Sequence, residues 1–198
     1  DVLNYPRPVT WRWKLRRWLG SVPSLRPGDA DHLGRAVPLS IALPDCGSIT
    51  VGWLSGYCMI YRRAALAGLS FDEGLPTYGG EDRDFSMLVG ARWRLVLCAD
   101  LKLSHHYASA SRTVGAARVR ETVFGMGRSF AKRARGPVDY LTLARWLAAE
   151  TVIGVLAWLR HPSRDRARAL AALPTGLVAG LRSLSMAPTP ARSVRATE

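Results

Sequence analysis

Residues 79–86 read Gly-Gly-Glu-Asp-Arg-Asp-Phe-Ser, and the chain on either side becomes intelligible from this step outward. Two glycines free the backbone to take turns closed to other residues and to approach a ligand closely. Three acidic residues follow, where the positive end of a helix dipole favours carboxylates. Phe85, Leu88 and Val89 then share one face of the helix predicted over EDRDFSMLVGARW. Upstream, ITVGWLSG (49–56) and CMIYRR (58–63) each read as a strand, and RRAALAGL (62–69) as a short helix ended by Gly68. Downstream, RLVLCADLKLSHH (94–106) reads as a strand, a turn at Ala99 and Asp100, and a second short strand delivering His105 and His106. The expected class is α/β.

Further from this centre the signals change. Residues 1–22 carry a basic amphipathic pattern, with Trp11, Leu15, Trp18 and Leu19 at helical spacing and Arg12, Lys14, Arg16 and Arg17 over much of the rest. Two readings stand side by side: an interfacial helix on anionic lipid, and a helix packed on its own domain with a solvated basic side. Residues 23–47, rich in Pro, Gly and Asp, read as a loop or substrate-facing flap. Basic helix is expected over 113–135, apolar helix over 138–160, and a helix bent or broken at Pro174 over 164–184. Residues 187–198 read as a disordered tail. The expected segments are therefore 1–47, 48–112, 113–186 and 187–198.

Composition bounds the function. At 198 residues and 48% hydrophobic, the chain can bury one ordinary core. Its net charge of +13 is almost all arginine, since Lys14, Lys102 and Lys132 are the only lysines. Arginine forks onto phosphate, which points to nucleotide diphosphates, lipid diphosphates, acidic membrane or nucleic acid as partners. Cys46, Cys58 and Cys98 lack zinc or redox spacing and are expected to be buried thiols of a reducing cytoplasm. The best candidate span, Leu141–Leu159, is interrupted by Arg145 and Glu150, so lying on a membrane is favoured over crossing it. No signal peptide is evident, and because the chain opens on Asp1 rather than Met, a start internal to a longer product is expected.

Four features in order carry the chemistry: Ser55-Gly56, Phe71-Asp72-Glu73, the step Gly79–Asp82, and His105 at a strand end. Sugar transfer with inversion needs a carboxylate within hydrogen-bond reach of the acceptor hydroxyl, and Asp82 is suited to that role. The leaving diphosphate needs its charge offset, and a divalent cation with His105 among its ligands would do so. Singly, each feature is weak, because acidic residues at a helix start are usually caps and a lone His is usually a surface residue.

The ordered run from Trp53 to Arg112 resembles the C-terminal half of the catalytic domain of family 2 glycosyltransferases, especially bacterial rhamnosyltransferase-like members. The matching elements are Ser55, Gly56, Arg62, Arg63, Phe71, Asp72, Glu73, Gly80, Glu81, Asp82, Asp84, Trp93, Arg94, His105 and Ser109, about a third of the chain. The resemblance implies the C-terminal part of a GT-A (nucleotide-diphospho-sugar transferase) fold with added C-terminal helices. It makes Asp82 the general base and Glu81 the neighbour shaping the acceptor site. Gly56, Gly80 and Asp84 become acceptor or donor contacts, and His105 a metal or diphosphate contact with His106 as fallback; apart from the resemblance, Arg112 and Arg118 are candidates for contact with the diphosphate or a lipid-linked acceptor, beside the reading of a solvated basic face. It also implies a divalent metal (Mg or Mn), a nucleotide-diphospho-sugar donor, and a lipid-linked or polysaccharide acceptor of cell-wall or polysaccharide biosynthesis. The expected location is the cytoplasm, with the inner membrane surface as a candidate partner.

The departure is large. The family's nucleotide-binding half, with its Asp-x-Asp at a strand end, has no counterpart before residue 48, so the main carboxylate ligands are expected outside this chain. Asp29-Ala30-Asp31 matches that spacing but stands in a Pro/Gly loop. Two rivals follow: a non-catalytic truncated relative that binds acceptor or membrane, and a basic nucleic-acid-binding protein, for which no binding motif is present.

Overall fold

A computed structural model describes residues 10–38, 46–101, 103 and 114–184. Over these residues the chain is mixed α and β, with five α-helices and one two-stranded sheet. In order they are α1 (Trp11–Leu19), β1 (Ser48–Val51), α2 (Glu81–Gly90), β2 (Leu95–Cys98), α3 (Gly115–Arg133), α4 (Pro137–Arg160) and α5 (Arg164–Arg182).

Apolar side chains collect in two clusters. The first lies among the three C-terminal helices, where Val123, Met126 and Phe130 of α3 meet Leu143 and Trp146 of α4 and Leu173 and Leu177 of α5. Glycines let α3 and α5 meet backbone to backbone: a Cβ on Gly180 would overlap the Phe124 carbonyl, and one on Gly127 would stand 2.5 Å from the Leu177 oxygen. Each glycine gives up about 1 kcal/mol of helix propensity, which this close packing offsets. Of the bend or break expected at Pro174, the break does not occur, and α5 runs through the proline. Leu173 and Leu177 are buried on either side of the proline in one core, so packing holds both halves of the helix despite the lost backbone bond.

The second cluster joins Val51 of β1, Leu95 of β2, Phe85 and Val89 of α2, and Ala65 of a 3-10 turn at Arg63–Leu66. β1 and β2 pair antiparallel, Ser48 opposite Cys98 and Val51 opposite Leu95. Gly68 takes φ +72°, ending the short helical turn as its sequence predicts. CMIYRR is not a strand: Ile60 is exposed while Tyr61 packs edge-on against Phe85, so its apolar residues serve separate neighbours rather than one sheet face. Leu101 and Leu103 are likewise exposed and outside any strand. Cys46 and Cys58 are exposed and Cys98 is half-buried, contrary to the expectation of buried thiols, because two of the three sit in irregular surface backbone.

The N-terminal segment belongs to the helical cluster. Thr10 caps α1, its Oγ1 accepting from Trp13 N at 3.3 Å, and Gly20 closes the helix at φ +81°. Arg16 forks onto Glu150 of α4 at 3.0 and 2.9 Å, the Ser21 hydroxyl donates to the same carboxylate, and Arg145 Nε donates to the Leu19 carbonyl at 3.0 Å. The helix is thus packed on its own domain through Arg16, while Trp11 and Trp18 stay exposed. Residues 23–38 are no flap: Leu33, 2% exposed, sits in the helical cluster, and its carbonyl accepts from the Ser129 hydroxyl at 3.0 Å. Pro, Gly and Asp supply the turns there, and Leu33 and Val37 supply the anchors.

Candidate functional site

The two clusters meet at residues 79–86. Gly80 takes φ +82°, a left-handed conformation that other residues adopt at a cost of about 1–2 kcal/mol, and from it α2 begins at Glu81. Gly79 is buried beneath α3, where a Cβ on Gly125 would overlap its carbonyl oxygen. Here the glycines read as allowing ligand approach allow two protein segments to touch.

Asp82, in the first turn of α2, is half-buried. Its Oδ2 accepts from the Gly56 N–H at 2.9 Å and its Oδ1 from the Arg83 N–H at 2.7 Å. A side chain at Gly56 would bring a Cβ to 3.2 Å from the Asp82 Cβ, so glycine is what lets the Ser55-Gly56 loop lie against this carboxylate. A carboxylate has about four lone-pair sites, so two backbone donors fix its orientation and leave capacity for a further donor. Beside it, burial pushes the Glu81 carboxyl above its ordinary value, and the charge of Asp82 pushes the same way. Burial also lowers the Arg83 guanidinium, while Asp82, Asp84 and Asp31 oppose that shift.

The rest of the segment is structural support. Ser86, fully buried, accepts the Leu54 N–H at 3.0 Å on its hydroxyl, tying α2 to the loop that carries Gly56. Phe85 stacks on Phe71 with centroids 4.0 Å apart, and meets Tyr61 edge-on at 5.5 Å. Asp84, expected among the ligand contacts, is 4% exposed and turned to α3, 2.9 Å from Lys132 Nζ and 2.7 Å from Arg133 Nη2. The second of these is an ion pair without hydrogen-bond alignment. Asp72 takes a fork from Arg128 at 2.6 and 2.8 Å and a further ion pair with Lys132. The Arg128 fork holds the Asp72 carboxyl far below its ordinary value, with Lys132 and the Gly74 N–H adding to the effect against burial. From sequence these α3 bases read only as part of a basic helix over 113–135. Their spacing at i, i+4 and i+5, with unpaired acids at Asp72 and Asp84, was the signal available.

The structure therefore brings together Ser55-Gly56, Phe71-Asp72 and Gly79–Asp82, which lie up to 27 residues apart; the Gly56–Asp82 bond itself spans 26. His105, His106 and Arg112 lie outside the described residues. Arg118 stacks over the Tyr78 ring at 4.7 Å. The Asp29–Asp31 loop lies just past β1, the Gly28 carbonyl accepting from Gly52 N at 2.8 Å, but Asp29 pairs with Arg26 at 3.1 Å and Asp31 with Arg35 at 2.7 Å. Among the described residues no group of three His, Cys, Asp or Glu side chains could hold a metal ion; the main carboxylate ligands of the divalent cation that the resemblance implies are expected outside this chain. Two cavities flank the segment's supports: one of about 370 Å³ at His32, Met87, Lys132 and Arg135, and one of about 520 Å³ between Glu73–Pro76 and the α3 residues Ala117, Arg120 and Phe124.

Comparison with models of known protein families, with curated proteins and with solved structures finds no match to this chain.

Proposed function

We propose that the chain is the acceptor-side, catalytic-base part of an inverting glycosyltransferase of the family 2 type, with the C-terminal part of a GT-A fold. The observation that carries this reading is the Asp82 carboxylate held by the Gly56 N–H at 2.9 Å, in the first turn of α2 and beside Glu81. That contact joins two features whose order in the sequence prompted the resemblance, and with the Arg83 N–H it fixes the orientation of a half-buried carboxylate. In the proposed reaction Asp82 takes the proton of an acceptor hydroxyl as its oxygen bonds to the anomeric carbon. The bond from that carbon to the nucleoside diphosphate breaks, and the diphosphate leaves with the bonding pair. General-base help of this kind contributes about 10² to 10⁴ in rate. The main metal ligands are expected outside this chain, and no step is routed through a metal.

Asp82→Asn in the active enzyme is expected to keep donor affinity and lower turnover by at least about a hundredfold. Turnover near that of the parent removes Asp82 from the role. A second reading, a non-catalytic relative that binds an acceptor, is favoured by the sheet itself. The described strands number two and are antiparallel, whereas nucleotide sites of α/β folds stand at the carboxyl ends of parallel strands. Calorimetric titration with nucleotide sugars and Mn²⁺ separates the two, since the transferase binds a donor and the relative does not.

A further inference from the structure

Helix α4 presents a large apolar face with no partner among the described residues. Its inner face sends Leu143, Trp146, Ala149 and Ile153 into the core. Its outer face exposes Val138, Leu141, Val152, Val155, Leu156 and Leu159, a stripe running most of a helix about 36 Å long. Both acidic residues of this helix are turned inward and satisfied: Asp139 by His32 and the Arg135 N–H, and Glu150 by Arg16 and Ser21. The exposed charges along and beside it are mostly positive, Arg145 and Arg160 on the helix, Arg135 just before it, and Arg164 and Arg168 just after, while the exposed acid among them, Asp165, accepts the Ala116 N–H at the start of α3 at 3.2 Å.

We infer that this face docks on an anionic phospholipid surface, the stripe entering the boundary between headgroups and acyl chains while the arginines meet lipid phosphates. An apolar stripe bordered by cations is the chemistry of a helix lying in the interface plane. By length and hydropathy α4 could also span a bilayer. Its inner face, however, is part of a core, and Arg16 and Ser21 are fastened to Glu150 near its midpoint. A second copy of the chain would set this arginine-bordered face against its own like charges. α1 adds exposed Trp11 and Trp18, seven residues apart on one side of the helix with Lys14 between them, the residue types that favour a headgroup layer. The inference uses none of the residues of the proposed transfer site and stands or falls separately from it.

The test is co-sedimentation of the full chain with vesicles of phosphatidylcholine alone and of phosphatidylcholine mixed with phosphatidylglycerol. The protein is expected to pellet with the mixed vesicles and far less with the neutral ones. The triple variant L141Q/V152Q/L156Q is expected to bind at least about tenfold more weakly with an unchanged circular dichroism spectrum, while V178Q, an exposed apolar position on α5, binds as the parent does. Should the triple variant lose helix, the single variants L141Q and L159Q decide, each expected to weaken binding about threefold. Parent-like binding by these variants would mean that charge alone acts, and it overturns the proposal. So does failure of the parent to bind mixed vesicles, or a lipid-free dimer in sedimentation velocity that the triple variant dissolves.

Discussion

Adjacent carboxylates at the start of α2 have opposite physical situations. Asp84 is buried and paired with Lys132 and Arg133, so Asp84→Asn takes the only carboxylate paired with Arg133 among the described residues and leaves Lys132 with Asp72 alone; it is expected to lower stability by about 3 kcal/mol, read as a fall in the urea midpoint at pH 7. Glu81 is half-buried, and burial raises its carboxyl above the ordinary 4.5. A raised folded-state value means that the protonated form is the one the fold favours. Its contribution is therefore fully present below about pH 4.5 and is lost as pH rises through the folded value. Glu81→Gln is accordingly expected to raise the urea midpoint at pH 7 and to give no gain at pH 4, and a loss of stability at pH 7 would contradict the assignment. The sequence shows three acids after two glycines, which suffices to place a helix start. It does not show which acid faces solvent and which faces α3, because that depends on Lys132 and Arg133, bases 48 and 49 residues beyond Asp84.

At the scale of elements, the helices were the legible part. α1, α2, α3 and α5 each fall within the span their periodicity and caps predict, and α4 starts one residue before its predicted span, since helical spacing and end signals are local. The strands were less so. CMIYRR has strand composition, but strand propensity reflects packing on a shared face, and here Ile60 is exposed while Tyr61 packs edge-on against Phe85. The contact between α3 and residues 79–80 was illegible for a different reason: Gly125 is one of several glycines in α3, and only the fold shows that it faces Gly79. Gly125→Ala must push α3 off that turn. It is expected to cost about 1–3 kcal/mol by thermal unfolding, and the proposed enzyme should lose turnover as well, because the same turn sets the start of α2 and the direction of Asp82. Val178→Ala, exposed on α5, should change neither.

At the scale of the molecule, the sheet-side cluster and the helical cluster are joined by charge as much as by apolar contact. Asp72 and Asp84 come from the first unit, and Arg128, Lys132 and Arg133 from α3. Because Arg128 and Lys132 hold the Asp72 carboxyl below the ordinary 3.8, the stability it supplies is complete above about pH 3.8 and is lost as pH falls through that value toward the lower folded-state one. Asp72→Asn removes this contribution at every pH. At pH 7 the variant is expected to be less stable by roughly 2–3 kcal/mol, discounted from a fully buried pair because the side chain keeps 14% exposure. The gap between parent and variant should then close as pH falls from 4 toward 2. Acid acts on this chain in another way too, since protonating its carboxylates raises a net charge that is already +13, and the resulting repulsion weakens parent and variant alike. Urea unfolding of both proteins across that pH range separates the two effects. Convergence of the two curves assigns the acid sensitivity to the Asp72 junction, whereas parallel curves assign it to whole-molecule repulsion and count against the junction's role.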